Sequence, residues 1–167
     1  QVEADLSDLD GPRALADAAF EAAGEIHILV NNAGTIRRHP AVAFPLEDLQ
    51  HVVQTNLTAV FQLCQHIGAP MLARGAGKIV NVASLLSFQG GVTVPAYTAS
   101  KHGVAGLTKA LANEWAGQGV TVNAIAPGYI RTDNTAALQD DETRNRQILE
   151  RIPAGRWGDP SDIGGAA

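Results

Sequence analysis

Residues 78–101 read KIVNVASLLSFQGGVTVPAYTASK, and this stretch decides how the rest of the chain is understood. Its opening, KIVNVA, is a short apolar run of the kind carried by strands buried in parallel sheets. Ser84 follows at the end of that run. Thirteen positions later comes Tyr97, and four after it Lys101. Pro95 suits the first turn of a helix, where its missing N–H is no loss. Tyr97 and Lys101 then lie one turn apart on one helix face. An ammonium beside a phenol favours the phenolate, and the positive end of the helix dipole acts in the same direction. A tyrosine placed this way can give or take a proton at a carbonyl or alcohol oxygen. Ser84, arriving from the strand end, can hydrogen-bond that oxygen.

The neighbouring segments alternate in the same manner. QVEADL (1–6) reads as the tail of a strand. A helix follows, with Asp8 or Asp10 as its cap and Pro12 in its first turn. Ala14, Leu15, Ala18, Ala19 and Ala22 form its expected apolar face, and Gly24 ends it. IHILV (26–30) suits a strand buried on both faces and runs into Asn31-Asn32-Ala33-Gly34. A long helix is expected over 46–74, with Leu49, Val53, Leu57, Val60 and Ile67 on one stripe. The Tyr97 helix, about 95–117, carries Val104, Leu107, Leu111 and Trp115 on its core face. VTVNAIA (120–126) is a third strand, closed by Pro127-Gly128. The order predicts a Rossmann-type α/β fold, a doubly wound parallel sheet with helices on both faces. Beyond Gly128 the chain turns polar, as a surface lid with a short helix would, and a further helix begins at Ser161.

In open parallel sheets, ligands bind outside the carboxyl ends of the strands. All three predicted strands end in polar or glycine-bearing motifs: Asn31–Gly34, Ser84 and Pro127-Gly128. Gly34 and Gly128, lacking Cβ atoms, let backbone approach a flat ring. Asn56 falls beside the apolar stripe of its helix, where an amide needs partners.

The 167 residues suit one domain over 1–167, and 46% apolar with 17% charged residues describes a globular chain. A formal charge of −5 offers no footprint for nucleic acid and no basic patch for a membrane. Cys64, the single cysteine, excludes an internal disulfide and fits a reducing compartment, so a cytoplasmic location is expected. The five histidines lack zinc-ligand spacing, and no metal is expected.

Ser84, Tyr97-x3-Lys101 and Asn31-Asn32-Ala33-Gly34 together resemble the short-chain dehydrogenase/reductase family. The resemblance implies that Ser84, Tyr97 and Lys101 are catalytic, and that Asn56 holds a water in a proton relay to the lysine. It implies NAD as cofactor, with NADP as the alternative. The matching cofactor-binding positions are Asp5, Leu6, Asn32, Ala33, Gly34, Tyr97, Lys101, Pro127, Gly128, Ile130 and Thr132. NNAGTIRR, SFQGG, NEWA, APGYIRTDNT and RIPAGRWG are similar to one branch, the 2-deoxy-D-gluconate 3-dehydrogenase and 2-dehydro-3-deoxy-D-gluconate 5-dehydrogenase group, which oxidises sugar acids. A sugar acid needs a carboxylate partner, which arginine supplies as a fork. Arg38 is the candidate, with Arg37 and Arg131 behind it. Ser84, Gln89 and Tyr129 would meet the substrate's oxygens. By the same resemblance, the 46–74 and 95–117 helices pair subunits into a homotetramer.

The chain departs from the family in two places. The glycine-rich phosphate turn is missing, and the C-terminal strand is absent, so the sequence reads as part of a longer enzyme. The alternatives within the family are gluconate 5-dehydrogenase-like and 3-oxoacyl-reductase-like specificity. A non-catalytic scaffold that kept the fold is the alternative of another class. A serine hydrolase at Ser84 lacks the G-x-S-x-G elbow.

Overall fold

KIVNVA supplies the middle strand of a three-stranded sheet. In the computed structural model, which describes residues 1–166, β2 (Gly77–Val82) lies between β1 (Ile28–Asn31) and β3 (Val120–Ile125). All three are parallel, with Leu29 opposite Ile79 and Ile79 opposite Val122. Each crossover is helical. β1 leads through α2 (Leu46–Val53) and α3 (Ala59–Arg74) to β2, and β2 leads through α4 (Pro95–Trp115) to β3. α1 (Gly11–Ala23) precedes β1 and packs on α3.

The chain groups into two compact units, 1–126 and 127–167. The core of the first joins Ala16 of α1, Leu63, Ile67 and Met71 of α3, Ile79 of β2, Leu111 and Trp115 of α4, and Val120 and Val122 of β3. α3 and α4 approach closely at Gly68, where a Cβ would meet the Trp115 ring at 2.9 Å. Strand order follows chain order, so both right-handed crossovers fall on one face of the sheet. The parallel sheet with helical crossovers is the expected Rossmann-type arrangement, incomplete as expected. Ile28 and Val30, on the other face, are 62% and 49% exposed. This corrects the expectation that β1 is buried on both sides.

Several local expectations also change. Residues 1–5 are not a strand, because no neighbouring strand pairs with them; Asp5 instead accepts from the N–H and hydroxyl of Ser7. Asp10 occupies the cap position of α1 without a side-chain bond, and Asp8 accepts from the Asp10 N–H. The buried face of α1 is Pro12 and Ala16, with Leu15 and Phe20 packed beside the core, while Ala14 and Ala22 are exposed. Gly24 does end it, at φ 71°. The long helix is interrupted by a π-turn over Gln54–Thr58. Among the described residues, no helix is long and apolar enough to cross a membrane.

The second unit is built around Trp157. Its ring is buried, meets Tyr129 edge-on at 5.5 Å, and its N–H donates to Asn145 at 2.7 Å. The polar segment holds α5 (Ala136–Asp140) and α6 (Glu142–Leu149), where one short helix was predicted. Asp141 caps α6 by accepting from the Arg144 N–H. α7 (Ser161–Gly164) starts where expected. Arg156 forks onto Asp162 at 2.7 and 3.0 Å and holds that carboxyl down at about 2.

Candidate active site

The carboxyl ends of β1 and β2 carry the site of the first unit. β2 ends at Val82, and its carbonyl accepts from Lys101 Nζ at 2.6 Å. That bond draws a lysine from α4 to the strand end just before Ser84. Lys101 is buried, and burial pushes its ammonium down to about 8. Its Nζ lies 5.6 Å from the centroid of the Tyr97 ring, within cation–π range. Tyr97 itself is half-buried. Pro95 opens α4 as expected, so the pair falls one turn apart.

Ser84 is the first residue of a tight turn over Leu85–Ser87. Its Oγ accepts from the Leu86 N–H at 3.2 Å, which leaves its own proton to be donated to another oxygen. The Ser84 N–H donates to Ser87 Oγ at 3.2 Å, and that hydroxyl donates to the Lys101 carbonyl at 2.7 Å.

Gly34 stands where β1's trailing loop passes these groups. A Cβ there would lie 3.4 Å from Asn56 Oδ1 and 3.8 Å from Lys101 Nζ. Asn56 sits in the π-turn, fully buried. Its Oδ1 accepts from the Thr35 N–H at 2.8 Å, while Nδ2 donates to the Thr35 carbonyl at 2.9 Å and to Ser100 Oγ at 3.2 Å. Ser100 passes the link to the Tyr97 carbonyl at 2.8 Å. The Asn56 side chain thus ties the loop after β1 to α4, and both its N–H groups are engaged.

Leu6, Asn32 and Ala33 line one cavity of about 160 Å³ together with Leu29, Val30, Asn31 and Thr55. This places Leu6, Asn32 and Ala33, three of the expected cofactor residues, side by side. Asn31 Oδ1 and Thr55 Oγ1 are buried without a hydrogen-bond partner. Asp5 is exposed, its carboxyl held low by the two bonds from Ser7.

The substrate candidates fare unevenly. Arg37 is engaged with Thr35 Oγ1, the Ile36 carbonyl, Asp48 and His51. Arg38 and Gln89 are exposed. In the second unit, the Ile130 carbonyl accepts from Thr135 Oγ1, Thr132 begins the turn that precedes α5, and Arg131 donates its N–H to the Gly158 carbonyl. Tyr129 packs on Trp157, and Gly128 is exposed.

Ser87, Ser100 and Thr55 carry no motif, and Asn31 stands in one without a role of its own assigned to it. Asn31 carried a visible signal, since an asparagine at the end of an apolar strand needs a partner. It donates to Asn81 Oδ1 at 2.8 Å, and Asn81 donates to Thr108 at 3.0 Å.

The chain is similar to known proteins over most of its length. The family described as short chain dehydrogenase matches residues 1–143. The 2-dehydro-3-deoxy-D-gluconate 5-dehydrogenase of Bacillus subtilis (strain 168) is 61% identical over 162 residues, covering 96% of this chain and 64% of that protein. The protein of the same name from Escherichia coli (strain K12) is 54% identical, covering 97% of this chain and 64% of its own. The crystal structure of a gluconate 5-dehydrogenase from Burkholderia cenocepacia J2315, in complex with NADP and tartrate, superposes with a TM-score of 0.92 at 40% identity. It is covered over 64% of its length by 97% of this chain. The chain thus spans about two thirds of these relatives.

Proposed function

Since the chain belongs to the short-chain dehydrogenase family, we propose that it forms most of an NAD(P)-dependent oxidoreductase that interconverts an alcohol and a ketone on a sugar acid. The substrate is of the 2-dehydro-3-deoxy-D-gluconate or 2-deoxy-D-gluconate type. Support for the substrate comes from the two 2-dehydro-3-deoxy-D-gluconate 5-dehydrogenases at 61% and 54% identity. Support for the cofactor comes from the NADP in the Burkholderia relative and from the clustering of Leu6, Asn32 and Ala33.

The observation that carries this reading is the seat of Lys101, between the Val82 carbonyl, the Tyr97 ring and Gly34. A dinucleotide, when bound, supplies the hydride chemistry. Tyr97 gives its proton to the substrate oxygen on reduction and takes it back on oxidation. The ammonium of Lys101 stabilises the phenolate that remains and binds the cofactor ribose. Ser84 donates its free proton to the same oxygen as charge develops there. Asn56 fixes the loop and helix that bracket the site, as its place in the proton path requires. Asp5, Leu6, Asn32, Ala33 and Gly34 are the cofactor residues of the first unit, and by the family resemblance Pro127, Gly128, Ile130 and Thr132 are those that serve the nicotinamide. Arg38 takes the substrate carboxylate, while Gln89 and Tyr129 meet its hydroxyls.

A cytoplasmic tetramer completes the proposal. Leu46, Leu49 and Phe61 leave apolar surface exposed along the 46–74 segment, which suits pairing with a second copy. The test is reduced-nicotinamide absorbance with the full-length gene product and a panel of sugar acids. Turnover on gluconate or on an acyl thioester, with none on 2-deoxy-D-gluconate or 2-dehydro-3-deoxy-D-gluconate, would replace the substrate assignment.

A further inference from the structure

We propose that Ser87 is a positioning residue that aligns Ser84 with the Tyr97–Lys101 helix through a single hydroxyl. The inference rests on the dehydrogenase reading and adds to it a residue outside the set Ser84, Tyr97, Lys101 and Asn56.

Ser87 is 5% exposed, and its Oγ stands between two catalytic elements. It accepts the N–H of Ser84 at 3.2 Å and donates to the carbonyl of Lys101 at 2.7 Å. A hydroxyl has one proton to give, so the donation to Lys101 fixes its rotor and aims a lone pair at Ser84. The Ser84 side chain is oriented by the same turn, through its bond from Leu86. The carbonyl that Ser87 holds belongs to the residue whose amine reaches Val82 at the end of β2. Strand end, turn and helix thus close a loop of bonds: Val82 to Lys101 Nζ, Lys101 carbonyl to Ser87, Ser87 to Ser84. A serine has few atoms with which to keep its own place, and beyond this turn the chain is exposed from Phe88 to Gly90. Without Ser87 the turn loses the side-chain bond that anchors it to α4 at this carbonyl. The hydroxyl of Ser84 then samples positions away from the substrate oxygen, and misplacement on that scale costs on the order of 10- to 100-fold in rate.

The experiment is a double-mutant cycle in the full-length gene product with Ser84→Ala, Ser87→Ala and the pair, reading kcat, KM and dinucleotide affinity by fluorescence titration. Ser87→Ala is expected to lower kcat about 10-fold or more, with dinucleotide affinity unchanged. In the Ser84→Ala background the same change is expected to have no further effect on kcat, because the residue it serves is gone. A merely structural role would instead lower the folded fraction and multiply with Ser84→Ala. Ser87→Cys keeps the size but donates weakly, and lowers kcat in the same direction should the alanine variant not fold. Full kcat in Ser87→Ala, or independent effects in the cycle, overturns the positioning role while wild-type turnover leaves the function standing. Absence of wild-type turnover on every sugar acid overturns both.

Discussion

The side-chain amide of Asn56 pairs with both backbone groups of Thr35, accepting its N–H at 2.8 Å and donating to its carbonyl at 2.9 Å. The pairing imitates one rung of a sheet, made by a side chain where the π-turn lifts it out of the helix. A π-turn inserts an extra residue into a helix and is often found at functional sites. Here it brings Asn56 against the loop that carries Gly34.

Asn56→Leu keeps the volume and removes both bonds. Two half-buried backbone groups of Thr35 and the buried Ser100 hydroxyl lose a partner, so stability should fall by about 1–3 kcal/mol. Urea unfolding of the full-length variant measures it. A loss below about 0.5 kcal/mol, the range of surface changes, would show that the pairing is not structural.

Lys101 sets a pH signature. Its ammonium is depressed to about 8 by burial, against 10.5 for the ordinary side chain. Between those values the unfolded chain binds the extra proton, so this residue makes stability rise as pH climbs from about 8 to 10.5. Below pH 8 the buried charge opposes folding in full. Lys101→Met removes that contribution, and the stability difference between variant and wild type should change by on the order of 3 kcal/mol over the window. Denaturant midpoints at a series of pH values supply the measurement, and parallel curves would refute it.

Cys64 should be inert in the native state. Its thiol is buried and pushed up to about 12, so at pH 8 only about one molecule in ten thousand carries the thiolate. A thiol-specific chromogenic reagent should label it only after denaturation. Rapid labelling of the folded protein would place Cys64 in another environment than the one beside Asn31 and Asn81.

The catalytic helix was legible because its signals are local. Pro95 marks the start of α4, and the three-residue gap from Tyr97 to Lys101 fixes a shared face. The strands were legible as apolar runs, and β2 and β3 fall within a residue of KIVNVA and VTVNAIA. The face of α1 was not legible, since a run of alanines gives no contrast between core and solvent. Residues 1–5 show the limit for strands: an apolar and polar alternation becomes a strand only when another strand accepts its hydrogen bonds. The π-turn left no mark, because Leu49, Val53, Leu57 and Val60 keep helical spacing across it. Ser87 and Ser100 act through one oxygen each, between segments far apart in the chain, and such residues have no spacing to read. The bonds of Arg37 to Asp48 and His51, on the following helix, also leave no pattern in the sequence.

Tyr97→Phe tests the central claim most directly, because it deletes one oxygen from a half-buried ring and leaves the helix intact. In the full-length gene product, the account predicts that kcat/KM on the best sugar acid falls by about 100-fold or more, while dinucleotide affinity stays near the wild-type value. Turnover equal to wild type in the phenylalanine variant would contradict it.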